Sequence, residues 1–210
     1  MNYCEETHRM FNGLPRHTFP FIDESIPLNG IYILFESGEK GHGGNRIVRV
    51  GTHTGENQLR SRLKQHFMRE NKDRSIFRKN IGRALLQKQG DPFIQYWEID
   101  LTPRKNKEKY ANRIDFEKQR QIEKQVTEYI QSMFTFVVFE VEDKATRLSL
   151  ESKLISTVSL CRECSPSKDW LGLSSPKDKI RESGLWLVNE LYKEPLSKAD
   201  ISKLISIIKN

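Results

Sequence analysis

Two β-branched, aromatic runs separated by a glycine-rich segment constrain this chain most. Gly30-Ile-Tyr-Ile-Leu-Phe-Glu36 and Arg46-Ile-Val-Arg-Val-Gly51 read as strands. The segment between them, Ser37 to Asn45, holds Gly38, Gly41, Gly43 and Gly44 and suits a hairpin loop. It is not a phosphate-binding loop, because no Gly-Lys-Ser/Thr opens a helix after it. A lone hairpin cannot bury its own faces, so later segments must cover it. Helices are expected at Asn57–Met68, with Asn57 as N-cap, and at 78–87, 106–131, 146–158, 177–192 and 197–209. Further strands are expected at Phe93–Ile99 and Thr135–Val141. Pro15, Pro20 and Pro27 mark residues 1–27 as an extended arm. The class is therefore mixed α and β.

Charge placement narrows the function. Residues 60–88 hold ten basic side chains against Glu70 and Asp73, a local +8, while the whole chain carries +7. Such a field suits a polyanion, although a solvated helical face gives the same count. No apolar run is long enough to cross a bilayer. The N-terminal MNYCEETHRM lacks a hydrophobic leader, so a cytoplasmic location is expected. Cys4, Cys161 and Cys164 are an odd set and not a disulfide framework. Cys161-x-x-Cys164 lacks a second pair or spaced histidines, so the three read as ordinary thiols. His42 and His53 read as loop residues, and Trp97, Trp170 and Trp186 as core anchors.

Three ionisable groups fall beside apolar stripes. On the helix after Asn57, Leu59, Leu63 and Phe67 recur at i, i+4 and i+8, and Arg62 and His66 flank that series four residues apart. On the later helix, Glu151 lies three residues after Leu148, in line with Ile155 and Val158. A charge beside a core needs a partner or a purpose. The pattern leaves two options open: an Arg62–Glu151 ion pair, or a metal or phosphate site.

These residues resemble the GIY-YIG nuclease family. Gly30-Ile31-Tyr32 matches the first half of its name motif, and Arg49-Val50-Gly51 lies where the second half belongs. Leu59-Arg-Ser-Arg62-Leu-Lys-Gln-His66-Phe67 is similar to the family's Arg-x-x-x-His helix, and Leu150-Glu151-Ser-Lys-Leu-Ile155 to its Glu helix. Ser167-Lys-Asp169-Trp170-Leu-Gly172 resembles a later Asn-Trp-Leu-Gly segment. The likeness implies an α+β fold: a small central antiparallel sheet flanked by helices at 28–172, an inserted strand and long helix within 69–132, and a C-terminal helical extension at 173–210. The insertion is reminiscent of the restriction-endonuclease branch.

The resemblance also implies chemistry on double-stranded DNA with Mg²⁺ or Mn²⁺. Glu151 would hold the metal, Tyr32 would be the general base, Arg62 would bind the scissile phosphate, and His66 would orient Tyr32. Tyrosine is a weak base at neutral pH, so cationic neighbours must favour its phenolate. Arg49 replaces the family's second tyrosine and stays protonated, so it can bind phosphate but cannot be a base. Lys64, Arg74, Ser75, Arg78, Lys79 and Arg83 are expected on the DNA, and Asp169 as an outer neighbour of the metal. A homodimer would suit cutting of both strands. The competing reading, favoured by Arg49, is a catalytically impaired GIY-YIG fold that only binds DNA.

Overall fold

The computed structural model describes residues 2–209. The hairpin forms as its sequence dictates: β1 (Gly30–Gly41) and β2 (Gly44–Gly51) pair antiparallel, and β3 (Phe134–Glu140) adds antiparallel to the other side of β1. The sheet order is β2-β1-β3, which makes β2 an edge strand. Alternate residues of β1 serve two cores. Tyr32 and Leu34 join one with Val48, Leu59, Leu63, Phe67, Phe77 and Trp186. Ile31, Ile33 and Phe35 join the other with Phe11, Leu150, Leu154 and Leu204. Burial on both faces explains why β1 reads as a continuous apolar run rather than an alternating one.

Helices α1 (Tyr3–Asn12), α2 (Leu59–Phe67), α3 (Ile76–Gln89), α4 (Ile94–Trp97), α5 (Arg104–Tyr110), α6 (Phe116–Met133), α7 (Lys144–Ser159), α8 (Asp178–Ser183) and α9 (Lys198–Lys209) surround the sheet. α2, α3 and α6 supply the first core; α1, α7 and α9 supply the second. No helix among the described residues is long and apolar enough to cross a membrane.

Several local expectations are corrected. Residues 3–12 are helical rather than an extended arm, capped by the Asn2 side chain on the N–H groups of Cys4 and Glu5, with Glu5 and Glu6 in the first turn. Phe93–Ile99 is not a strand. It holds the short α4, whose Trp97 indole donates to the Lys79 carbonyl (3.0 Å) and packs on α3. The charged 106–131 stretch divides into α5 and α6, with Asp115 capping the second. Asn57 sits at positive φ in a turn and does not cap α2. Residues 177–192 do not form one helix: α8 stops at Gly184 in a left-handed conformation. The chain then runs back to the sheet edge, where the Trp186 N–H donates to the Val48 carbonyl (2.8 Å).

Glu36 ties these late segments to β1. Its Oε2 accepts from both the Trp170 and Trp186 indoles (2.7 Å each), and its Oε1 accepts from the Tyr129 hydroxyl. All three expected tryptophan anchors are buried. Burial pushes the Glu36 carboxyl above its ordinary range, and the three donors only partly oppose this. A carboxyl with a raised folded pKa binds its proton more tightly in the native state. Its contribution is complete at low pH and is lost as pH rises through the folded pKa. Glu36→Gln preserves the network, because the amide oxygen can accept both indoles while the amide nitrogen faces Tyr129. The melting temperature of Glu36→Gln relative to wild type is therefore expected to climb from about pH 4, where the unfolded carboxyl ionises, and then plateau. A difference that stays flat across that window would contradict this account.

Candidate active site

A cavity of about 480 Å³ lies along the β2 edge, where the two layers meet. Arg49 and Val50 come from β2, Arg62 from α2, Ile76 and Asn80 from α3, Leu148, Glu151 and Ile155 from α7, and Leu187 to Glu190 from the segment returning after α8. Arg49, Arg62 and Glu151, far apart in sequence, thus share one pocket.

Glu151 is half-buried. Its Oε1 accepts from the Thr52 N–H (2.9 Å), just past the end of β2, while Oε2 meets no protein donor among the described residues. Burial raises its pKa; Arg49, the Thr52 N–H and Arg62 pull it back, and Glu190 pushes it further up. Arg62 makes no ion pair among the described residues, so the Arg62–Glu151 salt bridge left open by the sequence is absent. Its guanidinium donates instead to the Gln65 side chain (3.1 Å) and the Arg74 carbonyl (3.2 Å).

Tyr32 occupies the layer behind Arg49. Its hydroxyl meets His66 Nε2 at 2.8 Å and accepts from Arg49 Nε at 3.3 Å. The phenol is fully buried and does not line the cavity. Gly51 pairs with Tyr32 across the strands, and any Cβ there would lie 2.2 Å from the phenol oxygen. The ring therefore requires glycine at that motif position. Arg49 is further held by the Trp186 carbonyl. His66 is enclosed and held neutral by burial first, then by Arg62, Arg49 and Arg78. Its Nδ1 meets the Ser75 hydroxyl at 2.7 Å. A relay Ser75–His66–Tyr32–Arg49 thus runs from the start of α3 to the cavity wall.

The six basic-stretch residues expected on DNA mostly lie elsewhere. Arg78 is buried on Glu123 (2.8 Å), Lys79 bonds the Glu98 carbonyl and Asp73, Arg83 grips Glu98, and Lys64 pairs with Asp23. Ser75 is buried, where it caps α3 and meets His66. The charges of Lys64, Arg78, Lys79 and Arg83 are compensated by acids, all but Asp73 from outside this stretch, and only Arg74 of the six is exposed. Asp169 is exposed and does not line the cavity that Glu151 lines. The adjoining Trp170 is turned inward onto Glu36 instead.

Asn80 and Glu190 are polar lining residues that sequence reasoning did not single out. Asn80 is fully buried, its Oδ1 accepts from Arg83 (2.6 Å), and its Nδ2 donor has no partner among the described residues. Its place beside Phe77, Ile81 and Ala84 on α3 was a readable signal of the kind that marked Glu151. Glu190 gave no such signal, because its segment reads as helix. Both its oxygens are engaged, by Ser152 and Lys193.

Comparison with known proteins gives one finding. A family model described as GIY-YIG domain matches residues 18–210. Neither a curated protein nor a solved structure gives a significant match.

Proposed function

The chain belongs to the GIY-YIG family of nucleases, and from that premise we propose that it is a metal-dependent endonuclease that hydrolyses phosphodiester bonds of double-stranded DNA. The observation that carries the reading is the convergence of two arginines and one carboxylate with a free oxygen on a single cavity. That donor set fits a hard divalent cation. Mg²⁺ or Mn²⁺ accepts a single protein carboxylate and fills its other positions with water and phosphate oxygens. Bound by Glu151, the ion would neutralise phosphate charge and polarise the scissile bond.

The chain's own groups have distinct tasks. Arg62 presents a planar fork to two phosphate oxygens. Arg49 adds a second fixed positive charge where negative charge grows in the transition state. The orphaned Asn80 amide supplies a neutral donor to the same anion. Tyr32 is the general base, and His66 orients it from the rear. Because Arg49 covers the phenol, this role requires the guanidinium to swing onto the phosphate and uncover the hydroxyl. Arg74, exposed beside Arg62, is placed for backbone contact outside the cavity.

Supercoiled plasmid incubated with Mg²⁺ or Mn²⁺ tests the reading. Nicked and linear products are expected with the cation and none with chelator. Salt-sensitive binding without any cutting would favour the competing reading, a DNA-binding module on an inactive nuclease fold.

A further inference from the structure

The three cysteines are not scattered thiols. Cys4 stands in the first turn of α1, His42 at the tip of the β1–β2 hairpin, and Cys161 and Cys164 in the loop after α7. The ligating atoms of all four lie within 4.8 Å of one another. Cys4 Sγ is 3.6 Å from Cys164 Sγ, and His42 Nε2 is 3.3 Å from Cys161 Sγ. A tetrahedral Zn²⁺ with bonds of about 2.3 Å to sulfur and 2.0–2.1 Å to nitrogen sets S···S near 3.8 Å and S···N near 3.6 Å. The two short spacings approach those values. The sequence offered only half of the ligand set, because the other two ligands come from segments far from Cys161-x-x-Cys164.

The surroundings are those of a metal centre. A hairpin-tip histidine would ordinarily project into solvent. Here His42 adopts φ +49°, followed by Gly43 at φ +74°, and this turn tucks the imidazole inward until its side chain is 4% exposed. Cys4 and Cys164 are buried. Glu163 Oε2 accepts from the Asn2 amide (2.8 Å) and lies 3.9 Å from His42 Nδ1, a negative charge near the imidazole but outside hydrogen-bond distance. His8 is a neighbour and not a ligand. Its Nε2 accepts from the Ile47 N–H (3.1 Å), so Nδ1 carries the proton and donates to the Cys4 carbonyl (2.9 Å).

We propose that Cys4, His42, Cys161 and Cys164 form a structural Zn²⁺ site that clamps α1, the hairpin tip and the end of α7 together. Four protein ligands complete the tetrahedron and leave no open position for substrate, which makes the role structural. None of the four lines the cavity at β2, so this site is separate from the one proposed at Glu151. Through α7 it would fix the far end of the helix that carries Glu151.

The full chain, expressed in zinc-supplemented medium and purified under reducing conditions, should contain one zinc per chain by elemental mass spectrometry. Cys164→Ser and His42→Ala should each lose it, whereas Glu151→Gln should keep it, which separates this site from the catalytic one. Should those variants fail to fold, wild-type protein reconstituted with Co²⁺ decides the matter. Intense tetrahedral d–d bands with thiolate-to-metal charge transfer support the site. A weak octahedral spectrum, zinc at background in wild type, or a Cys4–Cys164 disulfide found by thiol counting would each overturn it.

Discussion

Replacing Glu151 with glutamine is expected to lower Mg²⁺-dependent cleavage by roughly a thousandfold or more while leaving the fold and DNA binding in place. The substitution is nearly isosteric, and the amide oxygen can still accept from the Thr52 N–H that now bonds Oε1. What disappears is the negative charge that would hold the cation. Stabilisation of transition-state charge by a metal is worth several kcal/mol, and about 4 kcal/mol corresponds to roughly three decades in rate. The fold should not suffer, because burial already disfavours the ionised carboxylate. Arg49 and Arg62 remain to hold phosphate, so affinity measured without cutting should persist. Plasmid nicking, gel-shift binding and a thermal melt on one preparation separate these effects. Cleavage within tenfold of wild type would remove Glu151 from the role of metal ligand.

Glu151 was readable in sequence because a carboxylate in line with Leu148, Ile155 and Val158 conflicts with an apolar stripe unless it serves a purpose. Arg62 and His66 were readable on the same basis, Tyr32 only through the Gly30-Ile31-Tyr32 motif, and β1 and β2 by their β-branched runs. Other features depended on partners that no local window contains. Arg78, Lys79 and Arg83 looked like a cationic surface because Glu123, Asp73 and Glu98, which neutralise them, lie on other segments or were outnumbered locally. The Phe93–Ile99 run has strand composition, yet packing of Trp97 on α3 decides in favour of a helical turn. Gly184 carried a stop signal that apolar spacing on both sides concealed. The Cys and His cluster combines three separate segments, and spacing rules can detect only the pair within one of them. Local chemistry was therefore legible where a residue conflicted with its own element, and illegible where the conflict was resolved from a distance.

Tyr32→Phe is the sharper test of mechanism, because the structure places the phenol out of direct reach of the cavity. Phenylalanine retains the ring over Gly51 and removes only the oxygen shared by His66 and Arg49. Two buried donor or acceptor groups lose a partner, a stability cost of about 1–3 kcal/mol for each left unsatisfied, which a thermal melt would register. If the hydroxyl accepts the water's proton, cleavage should fall by roughly 10²–10⁴-fold, the usual contribution of general-base catalysis. A purely positioning phenol has a different signature: a fall of less than about tenfold, the loss arising from a displaced Arg49. The second outcome would reassign Tyr32 from base to support, and deprotonation of the water would have to occur elsewhere in the cavity. Arg49 makes the two cases distinct, since its Nε contact seals the hydroxyl in the free enzyme. Only a phosphate able to draw that guanidinium forward gives the phenol access to water, so a base role ties the chemistry to substrate binding and a support role does not.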